Sequence, residues 1–185
     1  MMSGMAPIPD YEGCAVFVYD QENNRVAEAV ILDHNRRDHI IRISHTLDNV
    51  RSTERLNLLI VHPEEVNEYS GTLRSIIAGS RELALFRQRP RQGREAIRHE
   101  INETAMASIV DAKLNPVSDA VQVTVVNMST SGAMIKTNFS RLKVGDSLEI
   151  KMNFGGTESL LHAKIVRDRY VTDGVAEFGC KFIFG

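Results

Sequence analysis

Several short stretches of the chain alternate apolar and polar residues. In "SLEIKMNF" the apolar positions are Leu148, Ile150, Met152 and Phe154, and a polar residue stands between each pair. "AVQVTVV" and "EFGCKFIF" follow the same period of two. Because successive side chains of a strand point to opposite faces, this period is typical of strands with one buried face. The second half of the chain is therefore predicted to be β-structure.

The first half shows the same succession of short apolar stretches and polar turns. Its strand candidates are "CAVFVYD", "RVAEAVILD", "HIIRIS", "RLNLLIV", "YSGTLRSI" and "ELALFRQ". The polar clusters "QENN", "HNRRD" and "HPEEVNE" are typical of the turns that separate strands. Strands at such short intervals predict closed or nearly closed antiparallel barrels.

A break between the two halves falls at "RQRPRQGREAIRHE", residues 87–100. Pro90 and Gly93 interrupt regular structure within this segment. We expect an all-β chain of two small antiparallel β-barrels joined by this arginine-rich linker. The expected domains are residues 1–90 and residues 91–185.

The composition is that of an ordinary soluble globular protein. Of 185 residues, 43% are hydrophobic and 25% charged, with a formal net charge of -2. No apolar run approaches the roughly 20 residues that span a bilayer, and "MMSGMAPIPDYEGC" lacks the basic and apolar regions of a secretory signal. Cys14 and Cys180 form no metal-ligand pattern. We expect a cytoplasmic protein that is not membrane-inserted, with both cysteines as reduced thiols in the core.

The linker concentrates positive charge in a slightly acidic chain. Its arginines are Arg87, Arg89, Arg91, Arg94 and Arg98, and the run contains no lysine. A solvated hinge is one interpretation. A binding site for an anion is the other, because a guanidinium can donate two parallel hydrogen bonds to a phosphate and an ammonium cannot.

Two motifs favour the binding site. Arg94 and Arg98 form RxxxR, and Asn127, Ser129 and Gly132 form NxSxxG at a turn between strands of the second block. Together and in this order they resemble the PilZ domain, a β-barrel receptor for the bacterial second messenger cyclic di-GMP. The resemblance covers about half of the chain. It implies a ligand-binding protein that is not an enzyme and needs no cofactor or metal.

The chemistry of cyclic di-GMP suits these residue types. Arginine can grip a phosphate, bond O6 and N7 of guanine, or stack on a purine. Asn127 stands where many family members have Asp, and its amide keeps an oxygen that can accept from guanine N–H groups. The hydroxyl of Ser129 could donate to an anion or fix the turn. Gly132 would permit a backbone angle, or a close approach, that a Cβ forbids.

The arginine motif can be placed in a second register. Arg87 and Arg91 also satisfy RxxxR. Arg94 and Arg98 are preferred because they lie nearest the first strand of the second block. Some family members bind two intercalated ligand molecules, so the resemblance makes Arg91 and Arg87 candidates for further contacts.

The first block resembles the N-terminal barrel of flagellar brake proteins, through its strand pattern and through "YSGTLRSI" followed by "ELALFRQRPRQGREAIR". Because the arginines lie on the linker between the barrels, ligand binding is expected to order the linker and change the arrangement of the two barrels. The resemblance also implies a protein partner, such as a flagellar motor or polysaccharide export component, and an effect on motility or biofilm.

The remaining conspicuous residues are read as structural. His34 and His39 are expected in a polar hairpin turn, and His99 is expected to be exposed. The alternating Phe178, Phe182 and Phe184 are expected in the core and not in a base-stacking surface.

Three other functions are compatible with parts of the sequence. Nucleic-acid binding suits small barrels and arginine clusters, but the net charge of -2 and the lack of an exposed aromatic series argue against it, so no DNA partner is expected. An enzyme is disfavoured because the sequence shows no nucleophile with a base and no paired acids. A ligand-free structural PilZ adaptor is disfavoured because both motifs are intact.

Overall fold

The computed structural model of the chain describes residues 8–87, 96–138, 141–154, 156–170 and 173–184. Regular structure in these ranges is β-strand, and they contain no α-helix. The first six strands are β1 (Ala15–Tyr19), β2 (Arg25–Asn35), β3 (Ile40–Ile43), β4 (Arg55–His62), β5 (Glu65–Ile77) and β6 (Ser80–Arg87). They close into a barrel in the order β1-β2-β3-β6-β5-β4, called here the first barrel.

The remaining strands form the second barrel. They are β7 (His99–Val110), β8 (Val121–Met128), β9 (Gly132–Thr137), β10 (Ser147–Phe154), β11 (Thr157–Tyr170) and β12 (Ala176–Phe182). The order around this barrel is β10-β11-β12-β9-β8-β7, and neighbouring strands are antiparallel. The expectation of an all-β chain with two small antiparallel barrels is confirmed.

The two barrels have the same topology. The first strand of each pairs with the second and the fourth, as β1 pairs with β2 and β4, and β7 pairs with β8 and β10. The third strand of each pairs with the sixth, as β3 does with β6 and β9 with β12. The fold is therefore an internal repeat in structure.

The barrels pack directly against each other through β1. All five residues of this strand are buried, because both of its faces are covered. Val16 and Val18 belong to the core of the first barrel, whereas Phe17 belongs to an apolar cluster shared with the second barrel. Its ring meets that of Phe154 edge-on, with 4.9 Å between centroids. A buried apolar contact of this kind favours one arrangement of the barrels.

The structure also corrects local expectations. The expected turn "HPEEVNE" is shorter than the sequence indicates, because β5 already begins at Glu65. Phe184 was expected in the core, but it lies beyond the end of β12 and is 36% exposed. The prediction that Cys14 and Cys180 are buried free thiols is confirmed. The described ranges contain no helix long and apolar enough to cross a membrane.

Candidate functional site

A half-open cleft of about 250 Å³ lies on the second barrel, where the turn between β8 and β9 faces β11 and β12. Its polar and charged lining comes from four separate segments of the chain. These lining residues include Arg98, Asn127, Ser129, Gly132, Arg167 and Lys181. The topology explains this convergence, because β12 pairs with both β9 and β11.

The cleft brings together residues of both sequence motifs. Arg98 comes from the segment before β7, and it lines the same cleft as the NxSxxG residues. Arg91 and Arg94 lie outside the described residues. Arg87 is the last residue of β6 and is exposed, and it is not among the cleft-lining residues.

Ser129 organises the turn at the mouth of the cleft. Its backbone N–H donates to the carbonyl of Gly132 at 2.8 Å. Its Oγ accepts from the backbone N–H of Ser131 at 3.3 Å and lies 3.3 Å from the Ser131 hydroxyl. The side chain is 6% exposed. Of the two roles that the sequence leaves open for this hydroxyl, the geometry displays the one that fixes the turn.

Gly132 is required by the neighbouring strand. It pairs with Lys181 across β9 and β12, and a Cβ at this position would overlap the carbonyl oxygen of Cys180. Its φ is not among the positive values of the chain. The close approach that excludes a side chain is therefore an approach of β12, which forms one wall of the cleft.

Asn127 occupies a bulge near the end of β8. The register between β8 and β9 shifts between Val125 and Asn127, where the strand bends. The amide nitrogen of Asn127 lies 4.0 Å from the sulfur of Met134, a contact much weaker than a bond to oxygen. The amide of Asn127 can therefore exchange this contact for a ligand at low cost.

Arg167 and Lys181 also line the cleft, although neither belongs to a sequence motif that predicted the site. The Arg167 side chain lies across Gly179, where any Cβ would overlap its guanidinium end and its methylenes. With Arg98 they make three cationic side chains, and no carboxylate belongs to the described lining. An excess of positive charge in a cleft attracts anions. Both residues are polar positions within strands, which the sequence could have indicated. The pairing of β11 with β12, which brings the two side chains to one cleft, cannot be seen in the sequence.

His99 follows Arg98 and overturns an expectation. It was expected to be exposed, but its side chain is fully buried between the barrels. Its Nδ1 lies 2.7 Å from Oδ1 of Asn23, and its Nε2 lies 3.1 Å from Oε1 of Glu68. The ring packs on Tyr19 with 4.6 Å between centroids. Its polar partners come from the first barrel, which is why the local sequence did not indicate burial.

His34 is likewise buried and not part of a turn. It lies on β2, stacks on Tyr11 at 5.0 Å and accepts from the Tyr11 backbone N–H at 3.2 Å. Burial lowers the pKa of His34 below its ordinary value. Among the residues that the structure describes, no group of three histidine, cysteine or acidic side chains could hold a metal ion.

The thiol of Cys180 lies in a wall of the cleft but is unsuited to nucleophilic chemistry. Burial raises its pKa to about 12, so the thiol stays protonated at neutral pH. Burial likewise raises the pKa of the Cys14 thiol, to about 11. The cleft therefore offers hydrogen-bond donors and positive charge for binding, and its described residues offer no activated thiolate.

Comparison with solved structures finds chains of similar length and low identity. The inhibitor of motility MotI/DgrA of Bacillus subtilis is 12% identical at a TM-score of 0.39, over 95% of this chain and 88% of that chain. MrkH of K. pneumonia in its apo state is 13% identical at 0.38, over 92% and 79%. YcgR of Escherichia coli in complex with c-di-GMP is 10% identical at 0.36, over 92% and 76%. Likenesses at this level establish no shared function. A search of the curated proteins finds no match.

Comparison with protein families gives a direct result. The sequence model of the PilZ domain matches residues 87–184, more than half of the chain. This segment contains the whole second barrel, the NxSxxG turn and the cationic side chains of the cleft. The match thus falls on the residues that the structure assembles into one site, and the chain belongs to the PilZ domain family.

Proposed function

We propose that this chain is a cyclic di-GMP receptor, a binding protein and not an enzyme, with its ligand in the cleft of the second barrel. The observation that carries the proposal is that Arg98 and the NxSxxG residues share one cleft with Arg167 and Lys181, with no carboxylate in its described lining. A ligand with two phosphates needs cationic donors, and its guanines need hydrogen-bonding edges. No cofactor enters the proposed function.

Different residues of the cleft would bind the phosphates and the guanines of the ligand. Arg98, Arg167 and Lys181 would neutralise phosphate or bond guanine, as guanidinium and ammonium groups do. Asn127 would bond the edge of a guanine, and Ser129 and Gly132 would hold the turn that presents it. Arg94, with Arg91 and Arg87 in support, would close over the ligand from the linker, as the family resemblance implies.

The output proposed for ligand binding is a change in how the barrels are arranged. The division into an N-terminal flagellar-brake-like domain, residues 1–90, and a PilZ domain, residues 91–185, is part of this proposal. The barrels already share a buried contact between Phe17 and Phe154, so the ligand would act on a packed pair. The altered surface would engage a cytoplasmic partner in the control of motility or of biofilm export, and not DNA.

Titration calorimetry with cyclic di-GMP tests the proposal. The full chain should bind the ligand with a stoichiometry of one or two, and Arg98→Ala should abolish binding because a charge-assisted donor is lost. Arg51→Ala, which removes an exposed arginine of the first barrel, is the matched control and should bind as the wild type does. If the wild-type protein gave no heat of binding with cyclic di-GMP, the proposed function would be wrong. If Arg98→Ala bound cyclic di-GMP with unchanged affinity, the proposed site would be wrong.

The same cations could instead serve nucleic acid. A gel-shift experiment at physiological salt with RNA and DNA separates the two functions, because phosphate contacts to nucleic acid give affinities that fall steeply with salt. We expect no shifted RNA or DNA band at protein concentrations that are sufficient to bind cyclic di-GMP completely.

A further inference from the structure

The segment that carries Arg98 is bonded to the first barrel at three of its backbone carbonyls. The Asn23 side chain donates to the carbonyl of Arg98 at 3.3 Å. The Tyr19 hydroxyl donates to the carbonyl of Glu100 at 2.8 Å. The Arg25 guanidinium donates to the carbonyl of Ile101 at 2.7 Å and to the Glu103 carboxylate at 2.8 Å. These contacts, here called the clamp, run over residues 98–103.

The backbone of β7 is shaped for these contacts. The register between β7 and β8 shifts between Glu100 and Glu103, which marks a bulge. Asn102 within it has a φ of 51°, a left-handed conformation that is uncommon outside glycine. A bulge releases backbone groups from the strand ladder. The carbonyls of Glu100 and Ile101 accept from Tyr19 and Arg25 of the first barrel. The Tyr19 side chain is fully buried there.

His99 fixes the same segment through its side chain. It is fully buried, and its ring nitrogens contact Asn23 and Glu68 on different hairpins of the first barrel. Asn23 therefore bonds both the side chain of His99 and the carbonyl of Arg98. Rotation of the backbone at Arg98 would break the bond from Asn23 to its carbonyl and disturb the partly buried contacts of His99.

We propose that Asn23 and Glu68 of the first barrel are positioning residues for Arg98, and so set the affinity of the cleft without touching the ligand. The inference rests on the proposed function of the cleft. A backbone segment held in its bound geometry loses less entropy on binding than one that must be ordered. The clamp holds the backbone of Arg98 beside the cleft in the absence of ligand, so intact contacts raise the affinity.

Linkage makes the effect reciprocal. If the clamp strengthens ligand binding, the ligand must strengthen the clamp by the same factor. The change in barrel arrangement on binding is then a shift of the population towards the arrangement in which the clamp is intact. The hairpin between β1 and β2, which carries Asn23, is not among the residues that line the cleft. Protection of its amides on ligand binding would therefore report the coupling and not a direct contact.

The experiment compares full-chain variants by titration calorimetry with cyclic di-GMP. Asn23→Gly removes the side chain and tolerates the φ of 66° at this position, where Ala would add strain. Glu68→Ala removes the second partner of His99. Gln21→Ala changes an exposed amide on the same hairpin and is the control. Asn23→Asp keeps the acceptor for His99 but cannot donate to the carbonyl of Arg98.

We expect Asn23→Gly, Asn23→Asp and Glu68→Ala to bind about fivefold to twentyfold more weakly, and Gln21→Ala to match the wild type. Hydrogen exchange should show that cyclic di-GMP slows exchange in residues 19–25 of the wild type and not of Asn23→Gly. Affinities within twofold of the wild type in both Asn23→Gly and Glu68→Ala would overturn the inference. A wild-type chain that binds no cyclic di-GMP would instead refute the proposed function, and the clamp's role with it.

Discussion

The two barrels share a topology but differ at one corner. In each, the N–H of a residue on the sixth strand bonds the turn between the second and third strands, as Leu85 bonds the carbonyl of His39 at 2.7 Å and Phe182 that of Ser131 at 2.9 Å. The second and third strands of each barrel also shift register at the same place. The shift lies between Ile31 and Asp33 in the first barrel and between Val125 and Asn127 in the second. The two barrels thus have equivalent backbone structure at this corner.

The side chains at the corner are not equivalent. In the first barrel Arg36 of the turn forms an ion pair of 2.9 Å with Asp10, and Tyr11 stacks on His34. A fixed anion of the chain thus meets the arginine there. In the second barrel the residue before the first strand is Arg98, and the turn is short and uncharged. The fold therefore supplies the corner, and a few residues before the first strand and in one turn decide whether it is filled or open to an anion.

The largest expected effect concerns the glycine of the open corner. Gly132 pairs with Lys181, whereas its counterpart Ile40 pairs with Ala84 and carries a large side chain. Gly132→Ala should destabilise the protein by about 2–4 kcal/mol, because its Cβ would overlap the Cys180 carbonyl oxygen. Urea unfolding measures the loss, with Thr130→Ala in the same turn as the control. A loss below about 0.5 kcal/mol would show that β12 can move aside.

A smaller effect is expected from Arg167, a cation of the cleft that lies outside both sequence motifs. Arg167→Ala should weaken cyclic di-GMP binding about tenfold, because one charged donor of the cleft is lost while the barrel stays folded. Lys164→Ala on the same strand removes an exposed cation outside the cleft and serves as the control. Equal affinities of Arg167→Ala and Lys164→Ala in calorimetry would remove Arg167 from the site.

The smallest effect concerns the filled corner, and it depends on pH. Burial lowers the pKa of His34 in the folded protein. As the pH falls through about 6.5, the His34 imidazole is therefore protonated in the unfolded chain before it is protonated in the folded protein. Stability should therefore decline below that pH. His34→Met copies the apolar Met128 of the second barrel, which removes this contribution and should flatten the decline between pH 7.5 and 5.5. Denaturant unfolding at both pH values measures it, and parallel declines would exclude His34 as the cause.

Much of the fold could be predicted from short apolar stretches and the polar turns between them. The strand candidates of the first half coincide with β1 to β6, although β1 is buried on both faces and does not alternate. Which strands close each barrel could not be predicted, since pairings such as that of β3 with β6 join segments distant in sequence. The shared topology of the barrels is invisible for the same reason.

The part of the site that is contiguous in sequence could be predicted. The NxSxxG turn is a contiguous motif, and the structure places its residues beside Arg98 in one cleft. Arg167 and Lys181 reach the cleft only through strand pairing, and His99 is buried only because Asn23 and Glu68 meet it from the first barrel. Periodicity carries no information on such contacts. The roles of Arg94, Arg91 and Arg87 in binding stay predictions.

We expect the open corner of the second barrel to bind cyclic di-GMP and the filled corner of the first not to bind it. Amide chemical shifts of the isotopically labelled full chain, followed through a titration with cyclic di-GMP, distinguish the two corners residue by residue. The largest shifts are expected at Arg98, at residues 127–132, and at Arg167 and Lys181, with little change at Asp10 and residues 36–39. Shifts centred on the corner of the first barrel, or none at a saturating ligand concentration, would contradict it.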